Sequence, residues 1–187
     1  PNTDAKIVDL ATGADLPPGE IGELAVRGPQ VMPGYWGTHA DEFESSLAGG
    51  WLYTGDVAIM DTDGYFQIIG RKRDTILAGD YSVYPRDVEE VLYEALTVAQ
   101  AAVVGIPDSL LGEQIVAWVV PVPDRPTTGD QLRQFCAERL PPYMVPKRIE
   151  LREVLPATSS GKIDYAAIRR ESADQVAAEP DALPPDA

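Results

Sequence analysis

Apolar residues alternate along the first third of the chain and fall at helical spacing or in unbroken runs beyond it. Lys6-Ile7-Val8-Asp9-Leu10 alternates and predicts a strand, followed by the turn-forming Ala11-Thr12-Gly13-Ala14-Asp15. After the break at Pro17-Pro18-Gly19, residues 22–28 predict a second strand between glycines. A Pro33-Gly34 turn follows. The polar stretch 38–48 predicts a short helix carrying Phe43 and Leu47, stopped by Gly49-Gly50. Residues 51–56 and 57–60 predict strand pieces. Asp61-Thr62-Asp63-Gly64 predicts a hairpin turn, because Asp-Gly supplies the positive φ that tight hairpins need, and residues 65–69 predict the return strand.

At Gly70 the character changes. Arg71-Lys72-Arg73-Asp74 is a charged cluster that predicts a linker. Pro85 stands where a first helical residue would be, and Asp87, Glu89 and Glu90 suit the positive end of a helix dipole. Val88, Val91, Leu92 and Leu96 fall at helical spacing and predict a buried face. Residues 98–106 and 114–122 are apolar and β-branched, predicting two strands with a turn at Gly105-Ile106-Pro107-Asp108. Thr128 with Gln131 predicts a capping box, and Leu132, Phe135, Cys136 and Leu140 give the next helix its buried face. Residues 148–151 predict a last strand, Ser159-Ser160-Gly161 a loop, and 163–171 a short terminal helix. The remainder holds Ala, Pro and acids without a basic residue and predicts a disordered tail. The fold class expected is α+β: a β-rich subdomain followed by a small mixed α+β domain.

Composition narrows the function classes. A length of 187 residues suits one large domain or two small ones, and 44% hydrophobic with 24% charged residues is ordinary globular usage. Lys plus Arg number 15 against 30 for Asp plus Glu, a net charge of −15 that repels phosphate backbones and disfavours general nucleic-acid binding. One cysteine, Cys136, allows no internal disulfide and fits a cytoplasmic home. With one histidine, His39, the usual His/Cys zinc sites are excluded. No stretch reaches the ~18 apolar residues of a membrane span, and no basic region followed by an apolar run suggests a signal peptide.

Five motif groups occur in order: Gly22-Glu23-Leu24 with Gly34-Tyr35-Trp36; Tyr53-Thr54-Gly55-Asp56; Gly70-Arg71 with Tyr84-Pro85-Arg86-Asp87-Val88-Glu89; Leu140-Pro141-Pro142-Tyr143-Met144-Val145-Pro146; and Ser160-Gly161-Lys162-Ile163-Asp164. The series resembles the late motifs of the adenylate-forming superfamily of acyl-CoA synthetases, peptide-synthetase adenylation domains and luciferases. Residues 70–90, with Val103-Val104-Gly105-Ile106-Pro107-Asp108 and Gly112-Glu113, look most like medium- and long-chain fatty acyl-CoA ligases. The resemblance implies two steps. A carboxylate attacks the α-phosphate of ATP to give acyl-adenylate and pyrophosphate; the thiol of coenzyme A then displaces AMP. It implies Lys162 as the catalytic cation that offsets charge on the α-phosphate. It further implies Asp56 and Arg71 as nucleotide contacts and Arg73 as the hinge. Related ligases usually read Gly-Gly-Tyr-Asn where this chain has Gly79-Asp80-Tyr81-Ser82, on the loop beside the pantetheine of coenzyme A. Asp80 there adds a negative charge and, if that position needs positive φ, strain. Glu23 and Trp51 are expected to be structural, Tyr143, Met144 and Pro146 to pack in a turn, and Cys136 to be an inert small hydrophobe. His39 is given no role.

The family's Ser/Thr/Gly-rich phosphate loop, adenine motif and acyl pocket are not in this sequence. The expected organisation is therefore a C-terminal fragment: 1–70 as the last β subdomain of the large adenylating domain, 71–73 as hinge, 74–170 as a mobile domain and 171–187 as tail. ATP/AMP and coenzyme A are the implied ligands, and Mg2+ would be bound mainly through parts outside this chain. The expected partners are a carboxylic acid, the upstream part of the same enzyme and, through an uncovered face of residues 1–70, a second copy of the chain. The fragment alone is expected to be inactive. Two alternatives stand: a non-catalytic interaction module of the same fold, and adenylation for a carrier-protein thiol.

Overall fold

The alternating first third folds as an antiparallel sheet. The computed structural model describes residues 2–33 and 47–178 and divides into two compact units, Pro1–Arg73 and Asp74–Ala187. In the first unit, β1 (Asp4–Val8) pairs with β2 (Ile21–Arg27), β2 with β4 (Trp51–Met60), and β4 with both β3 (Leu47–Ala48) and β5 (Phe66–Arg71). Ile7, Val8, Ala25, Val57 and Ala58 form its buried apolar set. The two strand pieces expected over 51–60 are one strand that bulges. Leu47, expected on a helix, pairs with Leu52 in β3; the rest of that expected helix, with Phe43 and His39, lies outside the described residues. The Asp61 carboxylate accepts from the backbone amides of Asp63 and Tyr65, closing the expected hairpin turn.

The second unit is a mixed sheet covered on both faces. A one-turn 3-10 segment, Lys72–Asp74, leads into the hairpin β6 (Ile76–Ala78) and β7 (Tyr81–Val83), two short strands where the sequence pattern predicted no element. Then come α1 (Pro85–Glu94), the long hairpin β8 (Val98–Asp108) and β9 (Gly112–Pro121), α2 (Gly129–Ala137), β10 (Arg148–Leu151) parallel to β9, and α3 (Tyr165–Ala178). Ala101, Val103, Ile115, Ala117 and Val119 face one core, completed by Val88 and Leu92 of α1 and Leu132 and Cys136 of α2. The alternate residues Ala102, Val104, Ile106, Val116 and Trp118 face a second core, closed by Ile168 of α3. Cover on both sides is why β8 and β9 read as continuous apolar runs rather than alternating ones.

Three expectations are corrected. Leu96 is 80% exposed rather than buried, because α1 ends at Glu94 and the extended backbone of Ala95 turns the chain outward. The turn expected at residues 105–108 lies after Asp108: Gly105, Ile106 and Pro107 are strand residues in register with Ile115, Gln114 and Glu113. The terminal helix runs on to Ala178 where a disordered tail was expected from residue 171, because buried Ser172 and the half-buried Ala173 and Val176 continue the packed face of α3. The capping box forms as expected, with Thr128 and Gln131 each bonding the other's backbone amide.

Asp108 closes the long hairpin. Its Oδ1 accepts from the amides of Leu110 and Leu111, and its Oδ2 lies 2.8 Å from Lys147 Nζ. The Lys147 hydrogen bond, followed by the two amides, lowers its pKa from 3.8 to about 2. A carboxyl with a depressed folded pKa stabilises the fold above its unfolded value and loses that contribution as pH falls. Acid titration of the chain is expected to show stability lost between pH about 4 and 2. Asp108→Asn should flatten that part of the profile, and an unchanged slope would contradict the assignment.

Candidate functional site

The Thr-Gly-Asp motif of the first unit is built as a bulge. Glu23 pairs with Val57 and Ala25 with Tyr53, so Leu24 alone stands opposite Thr54, Gly55 and Asp56. Bulges of this kind re-aim side chains out of a regular ladder. Thr54 Oγ1 donates to the Leu24 carbonyl at 2.9 Å and accepts from the Asp56 amide at 3.1 Å. The Gly55 amide donates to Glu23 Oε1 at 3.1 Å, while Glu23 Oε2 lies 2.8 Å from Lys72 Nζ. Glu23 is thus a buried strut for the bulge, as its structural reading expected, and Lys72 is a partner that the sequence reading did not find. Asp56 faces Arg71 across β4 and β5, with Oδ1 2.8 Å from Arg71 Nε. Their side chains are 24% and 55% exposed, so the pair stands at the surface. The Lys6 amine and the Arg27 guanidinium lie 4.5 and 4.6 Å from the Trp51 ring centroid, contacts that fit a structural role. Arg73 lies in the 3-10 segment where the two units meet in sequence.

In the second unit, Gly79 and Asp80 form the two-residue tip of the β6–β7 hairpin. Gly79 has φ +65° and donates its amide to the Leu111 carbonyl at 2.7 Å. The positive φ feared for Asp80 falls on Gly79 instead, so Asp80 adds charge at the tip without backbone strain. Tyr81 stacks on Tyr143, with ring centroids 4.0 Å apart and planes 9° from parallel. Tyr143 is therefore not simply turn packing: both rings are exposed, at 53% and 39%.

Lys162 sits in a closed turn of the same unit. Ala157 bridges Ile163. The Lys162 carbonyl accepts from the Thr158 amide at 2.7 Å and from Thr158 Oγ1 at 3.2 Å. The Gly161 amide donates to the Thr158 carbonyl, and Gly161, at φ +80°, supplies the left-handed residue that lets the turn close. On the far side, the Asp164 amide donates to the Pro156 carbonyl, and its carboxylate accepts from the Ala167 amide at the start of α3. The chain has four lysines. Lys6, Lys72 and Lys147 each lie within 2.6–2.8 Å of a carboxylate. The exposed Lys162 amine pairs with no carboxylate of the described residues. A hydrogen-bonded turn therefore presents a cation that no carboxylate of the described residues compensates.

Among the described residues no group of three or more His, Cys, Asp and Glu is placed to hold a metal ion. No described helix is long and apolar enough to cross a membrane. A cleft of about 320 Å³ beside Thr128, Arg133 and Lys147 includes none of the expected site residues. Burial pushes the Cys136 thiol up to about 11, in keeping with an inert side chain.

The chain is similar to known families over most of its length. Residues 87–162 match the AMP-binding enzyme C-terminal domain, and residues 1–36 match the AMP-binding enzyme family. A long-chain-fatty-acid–CoA ligase of Bacillus subtilis is 47% identical over 163 residues, which are 87% of this chain and 29% of the relative. A feruloyl-CoA synthase of Amycolatopsis is 42% identical over 168 residues, 90% of this chain and 34% of the relative. Among solved structures, ATP-bound MatB from Rhodopseudomonas palustris superposes with a TM-score of 0.87 at 30% identity, over 94% of this chain and 35% of its own. The amide bond synthetase McbA from Marinactinospora thermotolerans superposes at 0.83 with 38% identity, over 92% of this chain and 34% of its own. The chain thus spans about a third of the length of the relatives it matches.

Proposed function

The chain belongs to the AMP-binding, adenylate-forming enzymes, and we propose that it is the C-terminal part of an ATP-dependent acid–thiol ligase acting on fatty acids. In the first step a carboxylate oxygen bonds to the α-phosphorus of ATP and pyrophosphate leaves. In the second the sulfur of coenzyme A bonds to the acyl carbon and AMP leaves. The observation that carries this reading is the exposed Lys162 on its closed turn, whose amine pairs with no carboxylate among the described residues. The first step brings two anions together, and a preorganised cation acts where charge builds. Asp56 can accept from the ribose hydroxyls while holding Arg71, since an ionised carboxylate offers about four lone-pair positions. Arg73 is the hinge that re-presents the second unit between the two steps. Gly79, Asp80 and Tyr81 flank the pantetheine arm. The acyl pocket and the groups that hold Mg2+ belong to the upstream part of the enzyme.

The test is pyrophosphate release by the full-length enzyme across a panel of carboxylic acids. Long-chain fatty acids are expected to give the highest rates, and no release with any acid would overturn the reading. In the same assay Asp56→Ala should raise the KM for ATP about tenfold, the worth of a hydrogen bond to a charged group. A KM unchanged within about twofold would remove Asp56 from the ribose.

A further inference from the structure

Helix α1 carries a half-buried carboxylate, Glu89, that the reaction leaves unassigned. β8 is an edge strand, paired with β9 on one side only, so the amides on its other edge need partners from elsewhere. Two side chains one helical turn apart on α1 provide them. The Tyr93 hydroxyl accepts from the Ala101 amide at 3.1 Å, and Glu89 Oε1 accepts from the Val103 amide at 2.9 Å. Strand capping would account fully for Glu89 if its contacts ended there. They do not: the same Oε1 accepts from the Tyr165 hydroxyl at 3.1 Å. Tyr165 is the first residue of α3, next to the Asp164 cap and three positions beyond Lys162.

We propose that Glu89 is a positioning residue for Lys162, acting through the Tyr165 hydroxyl. The inference rests on the assignment of Lys162 to the reacting phosphate. Asp164 ties the exit of the lysine turn to Pro156 and caps α3, and the Glu89–Tyr165 bond fixes the first residue of that helix against β8. One carboxylate oxygen therefore joins α1, β8 and the base of the turn. Burial raises the Glu89 pKa, and the Val103 amide and Tyr165 hydroxyl, which favour the ionised form, only partly offset it. A displacement of ~1 Å in a group facing the reacting atoms is enough to slow chemistry by up to about a hundredfold.

Tyr165→Phe isolates the tether, since it deletes the bond to Glu89 and leaves the Val103 cap in place. In the full-length enzyme it should lower kcat for adenylate formation about tenfold, with KM for ATP and acid within about twofold. Glu89→Gln keeps an acceptor oxygen and should retain activity within about threefold, whereas Glu89→Ala should not. The decisive arm is a double-mutant cycle. In the Lys162→Ala background, Tyr165→Phe should cost nothing further, because the group it positions is gone. In the 187-residue chain itself, hydrogen exchange at the Thr158 and Gly161 amides should accelerate about tenfold in Tyr165→Phe, while Val103 stays protected. An equal loss in both backgrounds, or unchanged exchange at Thr158 and Gly161, overturns the positioning role. Full adenylation by Lys162→Ala alone would overturn the catalytic assignment, and this inference with it.

Discussion

Lys162→Ala in the full-length enzyme is expected to slow acyl-adenylate formation by about 10²–10³-fold, with much smaller changes in the KM for ATP and acid. The asymmetry follows from when the amine matters. In the ground state the α-phosphate is one anion among several. In the transition state an approaching carboxylate adds charge to the same phosphate, and a cation already in place costs no reorganisation. Among the described residues, Lys6, Lys72 and Lys147 each pair with a carboxylate and Lys162 pairs with none. Lys162→Arg should restore little, because a planar five-donor fork cannot take the place of a compact ammonium on a short turn. Single-turnover pyrophosphate release reads the step directly. A loss smaller than about tenfold would place Lys162 outside the reacting centre.

Ile168→Ala is expected to give the largest loss of stability, about 2–5 kcal/mol. Helix α3 is short of large apolar side chains: besides Tyr165 it offers Ile168 and Val176 among alanines. Ile168 is fully buried and packs in the cluster of Ala102, Val104, Ile106, Val116 and Trp118. Truncation removes both the transfer free energy of the lost methyl groups and the contacts around the resulting void. Trp118 lies in that cluster and supplies a fluorescence signal for urea unfolding of the second unit. A shift below about 1 kcal/mol would mean that α3 is held by its ion pairs rather than by this core. The variant would loosen the base of the Lys162 turn as well, so stability and adenylation should fall together.

Much of the architecture was legible because it depends on local rules. The strand at residues 4–8 was legible from alternation over 6–10, that at 21–27 from its bounding glycines, the hairpin at Asp61 from its turn residues, and α2 from its Thr128–Gln131 box. Leu96 and Leu47 failed for the same reason as each other: an apolar residue at the right spacing lies inside an element only if the backbone reaches it. Here Ala95 ended one helix, and Leu47 paired into a strand with Leu52. Pro107 read as a turn because proline usually stops a strand, yet it is tolerated on the edge strand β8. The short strands β6 and β7 were too brief for periodicity, although Gly79-Asp80 between them is a hairpin signal.

The order of the motifs, through the family it resembles, singled out Lys162, Asp56, Arg71 and the Gly79 loop as candidates, since each is a residue type whose charge or turn conformation is local to it. Three-dimensional packing alone decided their supports. Glu23 reaches Gly55 and Lys72, and Glu89 reaches Val103 and Tyr165 across 76 positions of sequence. No local pattern encodes such a contact, because it exists only when distant segments are brought within hydrogen-bond range and water is excluded around them.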